Sequence, residues 1–357
     1  MYRLQYSSVA VLLCLLVSCS STKEEGIINI MELPTYSVEG VKHNKEEIVS
    51  GNSWEFHRIG DNFLIFNGRP TSAALVVRMS DCKELGEFSL KGVGPGESNT
   101  PRYAGCSVGE DTIYMYDTFK FGMSVYSLPI QQTDTLDYSF VYSMRSSQDE
   151  LHGPTYRLEN GLTVSSRLSG TRNLFSLLDE RMDTICTFGG LPVPISDDHL
   201  KSLMPFQGII TVEKNTVYYA CKFLPYMCAY EIGDKDKITL KFQHNYEPPV
   251  FNYSPGSIRM DIYKTRNAFR DIKIHKGYIW TSYHGGIEAD ILKDPYGLGF
   301  AQSMVLFNMK GEPLVRFNMP IKGGNFCFSK DGDILYLITP EADIYAFKVD
   351  DFLKRLD

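Results

Sequence analysis

The chain has 357 residues, with 36 basic against 43 acidic side chains (formal net charge −7) and 13% aromatic residues, 22 of them tyrosine. That balance argues against a nucleic-acid binder, which needs clustered Lys and Arg to neutralise phosphates. The aromatic content suits strands, and the length is enough to bury a large sheet-built core.

Residues 1–18 carry one basic side chain, Arg3, and then an apolar run over 9–17. The run is too short to span a bilayer and has the layout of a signal peptide. It ends Leu16-Val17-Ser18-Cys19, which resembles the bacterial lipobox. The resemblance implies cleavage before Cys19 and acylation of its thiol, so membrane attachment through a lipid on Cys19 is expected. Without residues 1–18 the chain keeps 35 basic and 43 acidic side chains, a formal charge of −8. Residues 19–26 are polar and patternless and read as a flexible tether. Within them Lys23-Glu24-Glu25 resembles the short acidic signal by which some Bacteroidetes lipoproteins reach the cell surface. The expected address is therefore the outer membrane, facing the periplasm or exposed at the surface.

From residue 27 to 357 the chain reads as one domain. Residues 27–33 form a lone β-like segment ended by Pro34. A short turn then recurs ahead of a β-rich run: Gly60-Asp61-Asn62, Gly109-Glu110-Asp111, Glu159-Asn160-Gly161, Glu213-Lys214-Asn215, His275-Lys276-Gly277 and Lys330-Asp331-Gly332. These residue types tolerate the positive φ of tight hairpin turns. The apolar runs that follow are centred on Leu64, Ile113, Leu162, Val217, Ile279 and Leu335, at spacings of 49, 49, 55, 62 and 56 residues. A β-sandwich would repeat its turns at about 8–12 residues with no longer period, whereas repeats of about 40–50 residues carrying four short strands are propeller blades. The second hairpin strands (73–79, 123–128, 173–178, 227–232, 303–309, 343–349) recur in all six units. Fourth strands recur in five of them (85–90, 135–140, 184–188, 237–242, 313–318). The sixth unit lacks its fourth strand, and 27–33 is the spare segment expected to supply it. The expected fold is all-β: a six-bladed β-propeller of four-stranded antiparallel blades, its ring closed by this N-terminal strand.

The loop 92–101, Gly-Val-Gly-Pro-Gly-Glu-Ser-Asn-Thr-Pro, resembles the GxGPGEFxxP signature of six-bladed, NHL-like and TolB-like propellers common among Bacteroidetes lipoproteins, with Gly94, Pro95, Gly96, Glu97 and Pro101 in place. Ser98 stands where that family usually carries Phe or Tyr, so the aromatic plug of the loop is missing. The resemblance implies fold and export, and most members of the family have no assigned activity. As a phosphate cradle the loop fails: Glu97 takes the last glycine position of a GxGxxG pattern, and no helix follows.

Chemistry is thinly marked. HExxH and GxSxG do not occur. No CxxC occurs among Cys82, Cys106, Cys186, Cys221, Cys228 and Cys327, so no metal and no cofactor is indicated. Cys221 and Cys228 flank a hairpin and are expected as buried free thiols rather than a disulfide. Asp197-Asp198-His199 after Ser196 reads as an N-capped helical turn. Inner-strand His57, Arg58, Arg157, Arg270 and Asp271 need partners wherever the blades enclose them.

Strand parity sorts the loops. With four antiparallel strands per blade, 91–102, 141–154, 189–206, 243–267 and the insertion 283–302 share one face, and the other face receives short turns such as 80–84 and 233–236. Long loops on a rigid ring are where binding tends to reside. The candidate binding residues are Tyr253, Arg259 and Arg266 on one long loop, Arg270 just beyond it, and Tyr283, His284 and Glu288 on the insertion. Aromatics beside arginines suit stacking on a peptide or sugar. The expectation is thus a membrane-anchored binding module whose long-loop face takes a protein, peptide or glycan and no nucleic acid. The alternative is a propeller enzyme, a lyase, lactonase or glycan hydrolase, with His284, Glu288 and Asp271 as candidates at the channel mouth. A purely structural subunit of an envelope complex is a third.

Overall fold

The computed structural model describes residues 29–48, 53–67, 69–129, 134–147, 152–168, 172–193, 204–233, 237–248, 250–254, 257–293 and 300–356. Cys19, the segments 1–18 and 19–26, and the expected helical turn at 197–199 lie outside them. Two short strands, β1 (Thr35–Ser37) and β2 (Val41–Lys42), precede the first blade. Blade 1 is β3 (Ser53–Ile59), β4 (Asn62–Asn67), β5 (Ser72–Arg78) and β6 (Glu84–Leu90). Blade 2 is β7 (Pro101–Cys106), β8 (Thr112–Asp117), β9 (Gly122–Ser127) and β10 (Ser139–Arg145). Blade 3 is β11 (His152–Arg157), β12 (Thr163–Arg167), β13 (Asn173–Leu178) and β14 (Thr184–Gly190). Blade 4 is β15 (Gly208–Glu213), β16 (Thr216–Cys221), β17 (Tyr226–Ile232) and β18 (Ile238–Asn245), and a hairpin, β19 (Phe251–Ser254) and β20 (Ser257–Met260), follows it. Blade 5 is β21 (Phe269–His275), β22 (Tyr278–Tyr283), β23 (Ala301–Phe307) and β24 (Pro313–Gly323), with one helical turn, α1 (Glu288–Ile291), inserted. Blade 6 is β25 (Phe326–Phe328), β26 (Ile334–Ile338) and β27 (Ile344–Lys348), completed by β2. Each blade is an antiparallel meander, and together they make a six-bladed propeller.

The period-two alternation of strands explains why the blades stack. In β4, Phe63 and Ile65 pack toward blade 6 while Leu64 and Phe66 pack toward blade 2. A strand with apolar residues on both faces is buried from both sides. The buried apolar residues accordingly form six clusters, one at each junction between neighbouring blades. Among the described residues the junction of blades 2 and 3 has the smallest buried cluster, built on Ala104, Tyr116, Met123, Leu178 and Met182. The expected hairpin turns carry positive φ at Gly60, Glu110, Gly161, Lys214, Lys276 and Gly332.

Closure differs from expectation in its segment. Residues 30–32 form a single 3-10 turn capped by Asn29, whose side chain accepts the Met31 N–H, and Ile30 is fully buried between blades 4 and 5. The ring is closed instead by β2, with Val41 opposite Ala346 and Lys42 opposite Tyr345. The ladder continues through His43 N to Ile344 O (2.7 Å), and Asn44 Oδ1 accepts Ile344 N (2.8 Å). Between plug and closing strand, β1 runs parallel to β24 and makes blade 5 five-stranded. The outer strand of blade 2 also lies later than expected, at Ser139–Arg145. The preceding stretch is drawn to blade 1, where Leu136 N donates to Leu85 O (3.0 Å).

The loop 92–101 is a corner locked from both ends. Asp117, buried at the end of β8, accepts hydrogen bonds from Ser98 Oγ, Asn99 N (3.1 Å), Thr100 Oγ1 (3.0 Å), Phe119 N (2.9 Å) and Lys120 N (3.2 Å). Glu97 folds back onto Gly94 N (2.8 Å), and Gly96, at φ 71, brings its carbonyl to Tyr126 Oη (2.7 Å). A Cβ on Gly96 would meet Phe140 at 2.8 Å, so the position accepts only glycine. Among the described residues no helix is long and apolar enough to cross a membrane.

Candidate functional site

The inner strands β3, β7, β11, β15, β21 and β25 surround a central axis, with neighbours in contact around the ring. Since strand direction alternates within a blade, the first-to-second strand turns gather at one mouth of this channel. The blade-to-blade links and second-to-third strand turns gather at the other, as parity requires.

At the mouth built from the hairpin turns lies a cavity of about 710 Å³, lined from every blade, by Arg58, Tyr103, Tyr156, Lys214, Lys273 and Cys327 among others. Both signs of charge face it. Arg58 is held by Glu110 (Nη1 to Oε2, 2.7 Å), which also accepts Gly60 N (3.0 Å). Deeper in, Tyr103 meets Tyr156 edge-on at 5.8 Å. Asp271 accepts Lys273 Nζ (2.7 Å), Ile272 N (2.8 Å) and Phe326 N (3.0 Å), tying blade 5 to blade 6. Burial pushes the Cys106 and Cys327 thiols up, which keeps them protonated and unreactive. Tyr103 and Tyr156 are pushed up for the same reason. The expected binding face was the long-loop rim; this cavity opens at the opposite mouth.

The long-loop mouth carries charge of its own. Glu55 pairs with Arg102 (2.9 Å) and accepts Tyr103 N (3.2 Å). Burial alone would raise the Glu55 carboxyl, but the nearby His57 ring, 3.6 Å away, and the charge of Arg102 hold it at about 2. Lys222, in the turn between β16 and β17, and Arg270, on β21, stand near them. The Ala268 N–H donates to Lys222 O (2.9 Å), fixing that turn to the entry of β21.

The structure brings five of the candidate residues together. Arg266 donates to Gly285 O (2.8 Å) and lies 3.5 Å from Glu247; His284 Nδ1 accepts Gly286 N (3.1 Å); Glu288 opens α1. Arg270 and Tyr283 complete the group, but Tyr283 is fully buried in the core between blades 4 and 5, 5.5 Å from Phe269. Tyr253 and Arg259 sit apart on the β19–β20 hairpin. Its Phe251 and Ile258 pack onto the junction of blades 3 and 4, with Phe251 5.7 Å from Phe206, leaving Tyr253 exposed. Asp271, a candidate for catalysis, is committed to Lys273 and to the blade junction. Cys221 and Cys228 are buried free thiols: Cys228 lies opposite Tyr219, and Cys221 opposite Gly208. Among the described residues no three of His, Cys, Asp and Glu converge where a metal ion would be held.

Sequence reasoning missed Tyr103, Tyr156, Lys222 and Lys273. The available signals were the alternation Arg270-Asp271-Ile272-Lys273 on an inner strand and the lysine in a second-to-third strand turn, which parity already sent to the long-loop mouth.

No family model matches this sequence, and no curated protein matches it. Among solved structures the chain is similar to a putative exported protein from Bacteroides fragilis NCTC 9343, with TM-score 0.56, 12% identity and coverage of 88% of this chain and 98% of that one. It is also similar to a member of the DUF4221 family from Bacteroides vulgatus ATCC 8482, with TM-score 0.51, 8% identity and coverage of 87% and 98%. At these identities the likeness concerns the fold alone.

Proposed function

We propose that the protein is an exported, lipid-anchored propeller that acts as a binding module and takes a polar ligand, a peptide or glycan segment, into the axial cavity. The observation that carries this reading is the cavity of about 710 Å³ lined by tyrosines and by cations and anions from all six blades. A concave site with a few converging polar groups on a rigid scaffold is the ordinary form of a ligand pocket. Export is supported by the signal-peptide layout and Cys19, and by the similar Bacteroides fold described as a putative exported protein.

The anchor is tested by Cys19→Ala, which abolishes palmitate labelling and releases the protein from the membrane fraction; labelling that survives the substitution overturns it. Protease shaving of intact cells distinguishes a surface from a periplasmic orientation. For the cavity, Tyr156→Ala and Lys214→Ala weaken binding in a peptide and glycan screen, while Tyr253→Ala and Arg259→Ala do not. The reverse pattern moves the binding face to the long-loop rim.

A further inference from the structure

The long-loop mouth contains a half-buried cation, Arg270, that forms no ion pair among the described residues. In β21 the register passes from Phe269 opposite Tyr283 to Asp271 opposite Ser282, so Arg270 is the extra residue of a β-bulge. Bulges re-aim a side chain out of the regular pleat and gather beside functional sites. Two guanidinium nitrogens of Arg270, Nε and Nη2, are buried without a hydrogen-bond partner. Three residues earlier, Asn267 is fully buried with both its amide oxygen and its amide nitrogen unpartnered. Buried polar groups are nearly always satisfied, and a buried charge without a partner costs several kcal/mol.

The neighbouring charges make the imbalance worse. Lys222 is fixed to the entry of the same strand through its carbonyl and, among the described residues, forms no ion pair. Burial and the repulsion of Arg102 and Arg270, against a weaker pull from Glu55 and Asp271, push its ammonium down to about 8. The acids nearby are spoken for: Glu55 by Arg102 at 2.9 Å, Asp271 by Lys273 at 2.7 Å. Glu288 feels the charge of Arg270, yet burial raises its carboxyl and no ion pair forms between them. Uncompensated charge retained inside a stable ring is the mark of a group kept for a ligand.

We propose that the long-loop mouth of the channel holds an oxyanion subsite, in which the Arg270 guanidinium and the Lys222 ammonium receive a carboxylate, sulfate or phosphate group. This site is separate from the cavity at the hairpin-turn mouth and does not depend on what that cavity binds. The guanidinium and the ammonium each supply a charge-assisted donor to the oxygens of one group.

The test is thermal melting and titration calorimetry on the mature chain with sodium acetate, sulfate and phosphate, against sodium chloride at matched ionic strength. At least one oxyanion raises the melting temperature of the parent above the chloride control. Arg270→Gln and Lys222→Met each weaken that binding by about tenfold or more, the value of a lost charge-assisted hydrogen bond. Binding by the parent also weakens as the pH rises through about 8, where Lys222 loses its proton. In the absence of oxyanion the Lys222→Met variant melts no lower than the parent, because it removes an unpaired charge rather than a contact. Oxyanions that fail to stabilise the parent, or that stabilise both variants as well as the parent, overturn the subsite. A Lys222→Met variant that melts well below the parent in chloride shows the lysine to be structural and overturns its role as well.

Discussion

The imidazole of His57 lies almost flat on the phenol ring of Tyr103, with centroids 3.9 Å apart and planes 26° apart. The pair crosses from blade 1 to blade 2 at the wall of the axial cavity, and Tyr103 passes the contact on to Tyr156 of blade 3. Burial pushes the His57 pKa down and the charge of Lys273 adds to this, against the opposing pull of Glu55 at 3.6 Å. The ring is therefore neutral in the folded state at neutral pH.

A stability slope follows. The unfolded chain takes up a proton at its histidines as the pH falls through about 6.5, whereas His57 in the fold does so only at lower pH. Stability is full above that range and is lost as the pH drops below about 6.5. His275, also pushed down by burial, adds to the same slope. Urea midpoints measured between pH 8 and pH 5 fall for the parent and fall less for His57→Gln. Equal slopes in the two proteins would show that His57 titrates as it does in the unfolded chain.

Ring closure rests on Asn44, which is 2% exposed and accepts the Ile344 N–H at 2.8 Å. Asn44→Ala strands that donor and is expected to cost about 1–3 kcal/mol, read as a lower melting temperature. Thr35→Ala, on the exposed strand β1, is expected to shift it little. The opposite ranking would place the closing contact on blade 5 instead of blade 6.

The blades were legible because their information is local. Runs such as Phe63-Leu64-Ile65-Phe66 must be buried on both faces, and turns with Gly, Asn or Asp must punctuate them. The closing strand was not, because Val41 and Lys42 are exposed and are held by main-chain pairing and by the Lys42–Asp343 ion pair (2.8 Å), which leaves no apolar pattern. The more apolar stretch near Ile30 attracted the assignment, yet its apolar side chain is a plug between two blades. The site was less legible still. Tyr103, Tyr156 and Lys273 come together at one mouth, and Lys222 and Arg270 near the other, only when six repeats close into a ring, and no single repeat carries their combined chemistry.

The corner at 92–101 gives a second stability test. Asp117 accepts five hydrogen bonds from residues 98–100, 119 and 120, and Ser98, 2% exposed, is one of the donors. Burial would raise the carboxyl, but the hydrogen bonds from Ser98, Lys120 and Thr100 outweigh it and hold it below the usual range. Its contribution is thus present above the unfolded value of about 3.9 and is lost as the pH falls through the lower folded value. Asp117→Ala is expected to cost about 3 kcal/mol, since several donors lose their acceptor together. Ser98→Phe, which restores the residue common in the resembled signature, is expected to destabilise as well. A melting temperature unchanged in Ser98→Phe would show that the loop can reopen to accept an aromatic plug.

The last prediction concerns the ion pair at the floor of the channel. Asp271, 3% exposed, joins Lys273 at 2.7 Å and Phe326 N at 3.0 Å, so one carboxylate both balances a cation and bridges blades 5 and 6. Removing one member of a buried pair leaves the other charge uncompensated, which costs about 3–5 kcal/mol, whereas replacing both by neutral groups is much less costly. Asp271→Asn should therefore destabilise strongly. The double variant Asp271→Asn with Lys273→Met should melt above Asp271→Asn alone, and urea unfolding of the parent, both single variants and the double variant closes the cycle. A coupling energy near zero would mean that Lys273 is solvated in the cavity and free to meet a ligand, in which case Lys273→Met alone would leave stability unchanged and weaken binding. A large coupling energy assigns Lys273 to the scaffold and leaves Arg157, Lys214 and Lys330 as the cavity cations that meet the ligand.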